Sequence, residues 1–228
     1  MTNPSYQHVL AIDTSTSVLR LALSFGSDRV VKLNEDIGAS HGQMLVRKIQ
    51  DLLDGAGIQT KQLGALVICT GPGSFTGLRI GLAAAKGIAE ALDIPIVGVS
   101  LFDIVVLKLR NVAGEICVVV PFKRDECFVA TIENGRFDSE RIEAVPIGKI
   151  RAFVKGRPVT SVGIKLPPDL SSSGSAVPPG IEYDAADLLQ VGMVRLEAGN
   201  QDDISQLQPL YVQKSQAELR YEQRRKDQ

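Results

Sequence analysis

Apolar positions along this chain switch between an alternating period and a period near four, and each switch marks the border of a strand or a helix. Val9–Asp13 is an apolar run of the length of a buried strand. Ser17–Phe25 and Arg29–Leu33 alternate on either side of Gly26-Ser27-Asp28, the composition of a hairpin turn, so the first three segments predict a β-meander. Ser40-His41-Gly42 then precedes Gln43–Leu53, where Met44, Leu45, Ile49, Leu52 and Leu53 share one helical face before Gly55 and Gly57 stop it. Ser40 is the expected N-cap there and His41 a partly exposed ring. The strand Ala65–Thr70, a glycine turn, the helix Leu78–Leu92 and the strand Ile94–Val99, introduced by Pro95, complete the order β, β, β, α, β, α, β. That order predicts a mixed α/β sheet flanked by helices and connected by right-handed crossovers.

Leu101–Leu109 continues as an apolar, buried helix, and Asn111–Gly114 has the composition of a boundary. The division this predicts is an amino-terminal lobe over residues 1–110 and a smaller carboxy-terminal lobe over 111–228. In the second lobe Ile116–Val120 and Cys127–Ile132 read as paired strands, Ile147–Val154 as a short helix, Val159–Gly163 as a strand and Ala185–Glu197 as a last helix. Leu166–Gly180, rich in Pro, Ser and Gly, has the composition of an exposed or disordered loop. The tail beyond Tyr211 mixes charges, among them Lys214, Glu218, Arg220, Arg224, Arg225 and Lys226. No internal repeat is legible.

Composition narrows the functional classes. Lys and Arg number 25 against 26 Asp and Glu, so no overall positive field draws in nucleic acid or an anionic membrane surface. The apolar runs are too short to span a bilayer and the polar start Met1–His8 lacks a signal-peptide core, which predicts a cytoplasmic protein. Cys69, Cys117 and Cys127 lie in strand-like apolar runs without CxxC spacing and read as buried reduced thiols. With His8 and His41 the only histidines, a two-His metal site of the usual kind cannot be built within one chain.

The candidate chemistry centres on Gly71-Pro72-Gly73-Ser74-Phe75-Thr76-Gly77, between a strand and a helix of small residues. Such a turn lets backbones approach closely, and the first amides of the following helix can hold an anion. It is no Walker loop, since Leu78-Arg79 stands where Lys-Ser/Thr is required, and its spacing departs from the Rossmann fingerprint. Asp13-Thr14-Ser15-Thr16-Ser17 ends the first strand, where hydroxyls and a carboxylate can meet phosphate or a hydrated metal ion, or simply form an Asx turn. Pairing by sequence alone supports no Ser-His-Asp triad. On Leu78–Leu92, Leu78, Leu82, Ala85, Ala89 and Leu92 form one stripe, and Gly77, Gly81, Ala84 and Ile88 a second. One stripe covers the chain's own sheet; the second asks for another helix, from this chain or from a different one.

Taken together, Ile12-Asp13-Thr14-Ser15-Thr16, Ser40-His41, the Gly71–Gly77 turn followed by Leu78-Arg79-Ile80-Gly81, Ile94-Pro95-Ile96-Val97-Gly98-Val99-Ser100 and the later Pro209-Leu210-Tyr211-Val212 resemble the TsaB (YeaZ) family of bacterial tRNA threonylcarbamoyladenosine biosynthesis proteins. The resemblance implies an actin-like ATPase (ribonuclease H-like) fold of two lobes with the second reduced, in a non-catalytic paralogue of TsaD. TsaD transfers the threonylcarbamoyl group to N6 of adenosine 37 in tRNAs reading ANN codons. Its metal-binding His-x-x-x-His pair corresponds here to Leu101 and Val105, which offer a metal no lone pair. By the same resemblance Met44, Leu45, Ile49, Leu52, Leu78, Gly81, Leu82, Ala85, Ile88 and Ala89 form the interface with a TsaD-like subunit, or with a second copy when that subunit is absent. The resemblance also implies a TsaE-like ATPase as third component, only indirect contact with tRNA, no tightly bound cofactor, and ATP or ADP at the multi-subunit junction. Asp13, Thr14, Ser15, Gly71, Gly73, Ser74 and Gly77 become a vestigial phosphate loop. Pro121-Phe122-Lys123 departs from the family's Asp-Ala-Arg at the second-lobe hairpin. The rival reading is an independent actin-fold phosphotransferase or hydrolase using Asp13, Thr14 and the glycine turn around a magnesium nucleotide.

Overall fold

The computed structural model describes residues 6–25, 29–123, 125–138, 141–163, 165–166, 170 and 177–210. The first sheet takes β1 (His8–Asp13), β2 (Val18–Phe25), β3 (Arg29–Asp36), β4 (Ala65–Gly71) and β5 (Ile96–Ser100) in the order β3-β2-β1-β4-β5. β1 and β2, and β2 and β3, pair antiparallel as the hairpin pattern requires, whereas β1, β4 and β5 run parallel. The crossovers are α1 (His41–Ala56) and α2 (Phe75–Leu92), and α3 (Leu101–Lys108) follows β5 directly. This strand order, with a three-stranded antiparallel meander ahead of two parallel crossovers, is the ribonuclease H-like unit of the actin-like fold.

Alternation explains why β1 and β4 read as unbroken apolar runs. Val9 and Ala11 of β1, with Ala65, Val67 and Cys69 of β4, point into one core, while Leu10, Ile12, Leu66 and Ile68 point into another. A strand buried on both faces carries no polar side to interrupt the run. The second core is closed by Leu45, Ile49 and Leu53 of α1 and Leu82, Ala85 and Ala89 of α2.

The second half holds β6 (Glu115–Lys123), β7 (Glu126–Glu133), β8 (Arg136–Phe137), β9 (Glu143–Pro146), α4 (Ile150–Val154), β10 (Val159–Ser161) and α5 (Ala185–Glu197). Its sheet runs β10-β6-β7, with β8 and β9 both pairing to β7 at different heights and β10 parallel to β6. In directions and order, β9-β7-β6-β10 repeats β3-β2-β1-β4, with no counterpart of β5 among the described residues. The absence of a legible repeat in the sequence is therefore corrected at the level of topology: the two units share a strand path but not a residue pattern. β8 and β9 escape sequence reading because they are two and four residues long and mostly exposed.

The two sheets do not enclose separate cores. Ile116, Val118 and Val120 of β6 and Phe128 and Ala130 of β7 join Val9, Val67, Val97, Phe102 and Val105 in one cluster. α5 belongs by position to the second half yet lies on the first sheet, where Gly192 sits against Val67 with no room for a Cβ. The chain then crosses β5 as Asp202 pairs with Ile96 and the Leu210 amide bonds the Thr70 carbonyl at 2.8 Å. The split at residues 110/111 thus falls in the turn between α3 and β6, but residues 185–210 return to the first sheet. Most of the proline- and serine-rich loop and the tail 211–228 lie outside the described residues.

Two glycines on α-helices make opposite tests of this packing. Gly192→Ala must displace the branched Val67 side chain and is expected to cost about 1–3 kcal/mol. Gly87→Ala, where nothing lies within 4 Å, should stabilise by about 0.4–1 kcal/mol through the unfolded state. Urea denaturation of the two variants beside the parent chain measures both signs.

Candidate functional site: the inter-lobe cleft and the outer face of α1 and α2

The β1–β2 turn and the start of α2 are built on each other. Asp13 is fully buried and its Oδ1 accepts the Ser15 amide at 2.8 Å, an Asx turn. Thr14 Oγ1 donates to the Gly77 carbonyl at 2.7 Å, and the Ser74 amide donates to the Ser15 carbonyl at 2.7 Å. Ser74 caps the helix, its Oγ accepting the Gly77 amide at 3.2 Å. A Cβ on Gly73 would overlap the Ser15 carbonyl, one on Gly77 the Thr14 carbonyl, and one on Gly81 the Thr14 hydroxyl. Gly71 takes φ of 100°, a conformation that excludes ordinary side chains. The glycine turn accordingly serves close packing, and α2 begins three residues earlier than its apolar stripe suggests.

Above this turn a cleft of about 640 Å³ opens between the sheets. One wall carries Ser15, Thr16, Ser17, Arg20, His41, Gly73, Ser74 and Thr76; the other carries Leu101, Val120, Pro121, Phe122 and Val162. Tyr183 lines it as well. The Tyr183 hydroxyl donates to Asp13 Oδ2 at 2.8 Å, and burial, reinforced by the Asp13 charge, pushes that phenol well above its ordinary range. Arg20 Nη1 lies 3.6 Å from the same Asp13 oxygen and donates to Thr16 Oγ1 at 2.8 Å, while its guanidinium stacks 4.4 Å from the Tyr183 ring centre. Two polar atoms are buried here without a hydrogen-bond partner, Ser15 Oγ and His41 Nε2.

Several expectations change on this geometry. Ser40 stands at the N-cap of α1 but its side chain caps nothing, and His41 is buried rather than partly exposed. Burial lowers the His41 pKa, although Asp13, the Gly38 backbone and Asp36 pull the other way. Neither Arg20 nor Tyr183 was singled out by sequence reasoning. Arg20 leaves one trace, a lone charge in the apolar strand Leu19–Ala22; Tyr183 leaves none, since its partner lies 170 residues away.

An actin-like cleft implies a metal-bound nucleotide, and the donors here do not fit one. Both Asp13 oxygens are engaged, the Thr14 hydroxyl is spent on α2, and the Arg20 guanidinium already lies 3.6 Å from Asp13 Oδ2. Among the described residues no group of three His, Cys, Asp or Glu could hold a metal ion. Leu101 and Val105 are both buried in the shared core, Leu101 also touching the cleft. The three thiols are buried and free; burial raises Cys117 and Cys127 to about 11 and holds Cys69 well above its ordinary value.

The interface residues read from the sequence divide into two sets. Leu45, Ile49, Leu78, Gly81, Leu82, Ala85 and Ala89 are buried within the chain, against its own sheet and turn. Met44, Leu52 and Ile88 are half-buried. The apolar and small positions the two helices leave exposed are others: Val46, 70% exposed, on α1, and Ala83, Gly87 and Ala91 at successive turns of α2, flanked by the half-buried Ile80 and Ala84. Gly42 faces Ile80 where the helices meet. At the start of α2, Phe75 is 39% exposed and Arg79 stacks on its ring at 3.8 Å.

The family profile described as "TsaD: tRNA N6-adenosine threonylcarbamoyltransferase" matches residues 35–153, just over half of the chain, and the chain belongs to that family. Within it, the chain stands with the TsaB (YeaZ) proteins. It is 28% identical to the tRNA threonylcarbamoyladenosine biosynthesis protein TsaB of Escherichia coli strain K12 over 223 residues, 92% of this chain and 96% of that one. TsaB of Bacillus subtilis strain 168 is 30% identical over 129 residues, 56% of each chain. The fold is that of YeaZ from Pseudomonas aeruginosa, with a TM-score of 0.71 over 90% of this chain and 99% of that one at 24% identity. No helix among the described residues is long and apolar enough to cross a membrane.

The buried His41 sets a pH dependence. Its folded pKa lies below the ordinary 6.5, so on acidification the unfolded chain takes up the proton first. Its contribution is present above about pH 6.5 and is lost as pH falls through the folded value. Melting temperatures from pH 7.5 to 5 should fall less steeply in His41→Gln than in the parent chain.

Proposed function

We propose that this chain is a non-catalytic partner subunit for a TsaD-like enzyme, acting in formation of the threonylcarbamoyl group on N6 of adenosine 37 in tRNAs reading ANN codons. The observation that carries the reading is the exposed stripe of Val46, Ala83, Gly87 and Ala91, a face of small apolar side chains into which a second pair of helices can pack at short range. The names of its relatives supply the pathway; the engaged Asp13 and the apolar Leu101 and Val105 support the absence of chemistry in this subunit. In this reading a TsaE-like ATPase is the third component and a second copy of the chain covers the stripe when the enzyme is missing. ATP or ADP belongs to the multi-subunit junction, tRNA contact is indirect, and the complex works in the cytoplasm.

The surface assigned here differs from the buried stripe, and so does its test. Gly81→Glu and Ala85→Glu would strike the chain's own core and unfold it. Val46→Glu and Ala83→Glu place a carboxylate on an exposed site and should leave the free chain folded. Each is expected to weaken association with the TsaD-like subunit at least 100-fold, about 3 kcal/mol, because docking would bury an unpaired charge. Size-exclusion co-elution and titration calorimetry with that subunit, alongside circular dichroism of the variants alone, measure this. Unchanged association would refute the assigned face.

A further inference from the structure

We propose that Arg20 is a resident cation of the inter-lobe cleft: its guanidinium takes the place of a divalent metal beside Asp13, so the cleft does not admit a metal–nucleotide complex. The carboxylate at the end of β1 is where a hydrated metal would be held, and it is fully buried, so it requires a positive partner or strong donors. The chain supplies all of them itself. Ser15 covers Oδ1, Tyr183 covers Oδ2, and Arg20 stands 3.6 Å from Oδ2. Arg20 is in turn immobilised, hydrogen-bonded to Thr16 and stacked on Tyr183, with a side chain only 15% exposed. A guanidinium keeps its charge at every accessible pH, so the position is never vacated by deprotonation.

The lock also joins distant parts of the chain. Tyr183 enters from the segment that precedes α5, and the next residue, Asp184, accepts from Lys32 of β3 at 2.6 Å. A metal could reach Asp13 only by expelling Arg20 and breaking the Tyr183 hydrogen bond. Two like charges held this close repel each other, and more strongly where water is excluded.

The test uses the full chain, Arg20→Lys, which keeps the charge, and Arg20→Gln, which removes it. Thermal melting is followed at pH 7 in EDTA, in 10 mM MnCl2 and in 10 mM Mg2+ with ADP. The parent chain and Arg20→Lys are expected to melt at the same temperature in all three. Arg20→Gln should melt lower in EDTA and recover by about 3–6 °C in MnCl2, as for a ligand near tenfold over its Kd. A parent chain stabilised by MnCl2 or by Mg2+–ADP would overturn the proposal. So would an Arg20→Gln chain that melts low and ignores both, because Arg20 would then contribute packing on Tyr183 and no counter-charge. If Arg20→Gln does not fold, Asp13→Asn/Arg20→Gln removes both charges and should fold; its failure to do so also counts against the proposal. Partner binding enters none of these readouts, so the outcome stands apart from that of the α1–α2 face.

Discussion

Helix α2 comes so close to the turn between β1 and β2 that three successive turns of its approach, at Gly73, Gly77 and Gly81, have no space for a side chain. Everything else at this end of the molecule follows from that approach. The turn's hydroxyl and carbonyls are consumed in fixing the helix, which leaves Asp13 behind them, buried and in need of partners. Those partners come from β2 and from the segment before α5, so one tight contact ends by tying together residues 13, 20, 77 and 183. The same contact aims α2 outward, with one side on the sheet and the other toward solvent.

Much of this was legible from residue patterns, for reasons that differ by element. β1, β4 and β6 are continuous apolar runs because each is buried on both faces, and α1 shows its stripe because only one side meets the core. The glycine turn announced a close approach, and the structure identifies the neighbour as Thr14 and Ser15. What could not be read depends on contacts between distant positions. Tyr183 meets Asp13, α5 returns to the first sheet, and β8 and β9 together stand in for one strand. Most of the stripe that the sequence offered to a partner is buried in the chain itself, for a related reason. Periodicity says that a helix has two apolar sides but not which side its own sheet takes, and the sheet took the one with larger residues.

The shared core sets a limit on what the cleft can do. In a two-lobed enzyme that closes on its ligand, the lobes must move against each other about few contacts. Here Val9, Val67 and Phe102 of the first unit and Val118 and Phe128 of the second lie in one continuous cluster, with α5 laid across the first sheet. Opening or closing the cleft would shear a packed interior whose side chains interdigitate at near-crystalline density. The cleft is thus a fixed feature of the surface, and the pinned Tyr183 in its lining is consistent with that rigidity.

Under the proposed reading, a surface of Ala83, Gly87 and Ala91 would suit a subunit that is stable alone and still binds. Exposed leucine or phenylalanine on α2 would offer more area to a partner but would also associate indiscriminately before the partner arrives. Small residues contribute little apolar area in the free chain, and they have no rotamers to lose on docking. What they offer instead is access to the backbone, so that a second helix can approach to the short end of the usual interaxial range. Affinity on such a face comes from shape over a length of helix. It therefore depends on the straightness and aim of α2, which the contact with Thr14 and Ser15 sets from the other side of the same helix.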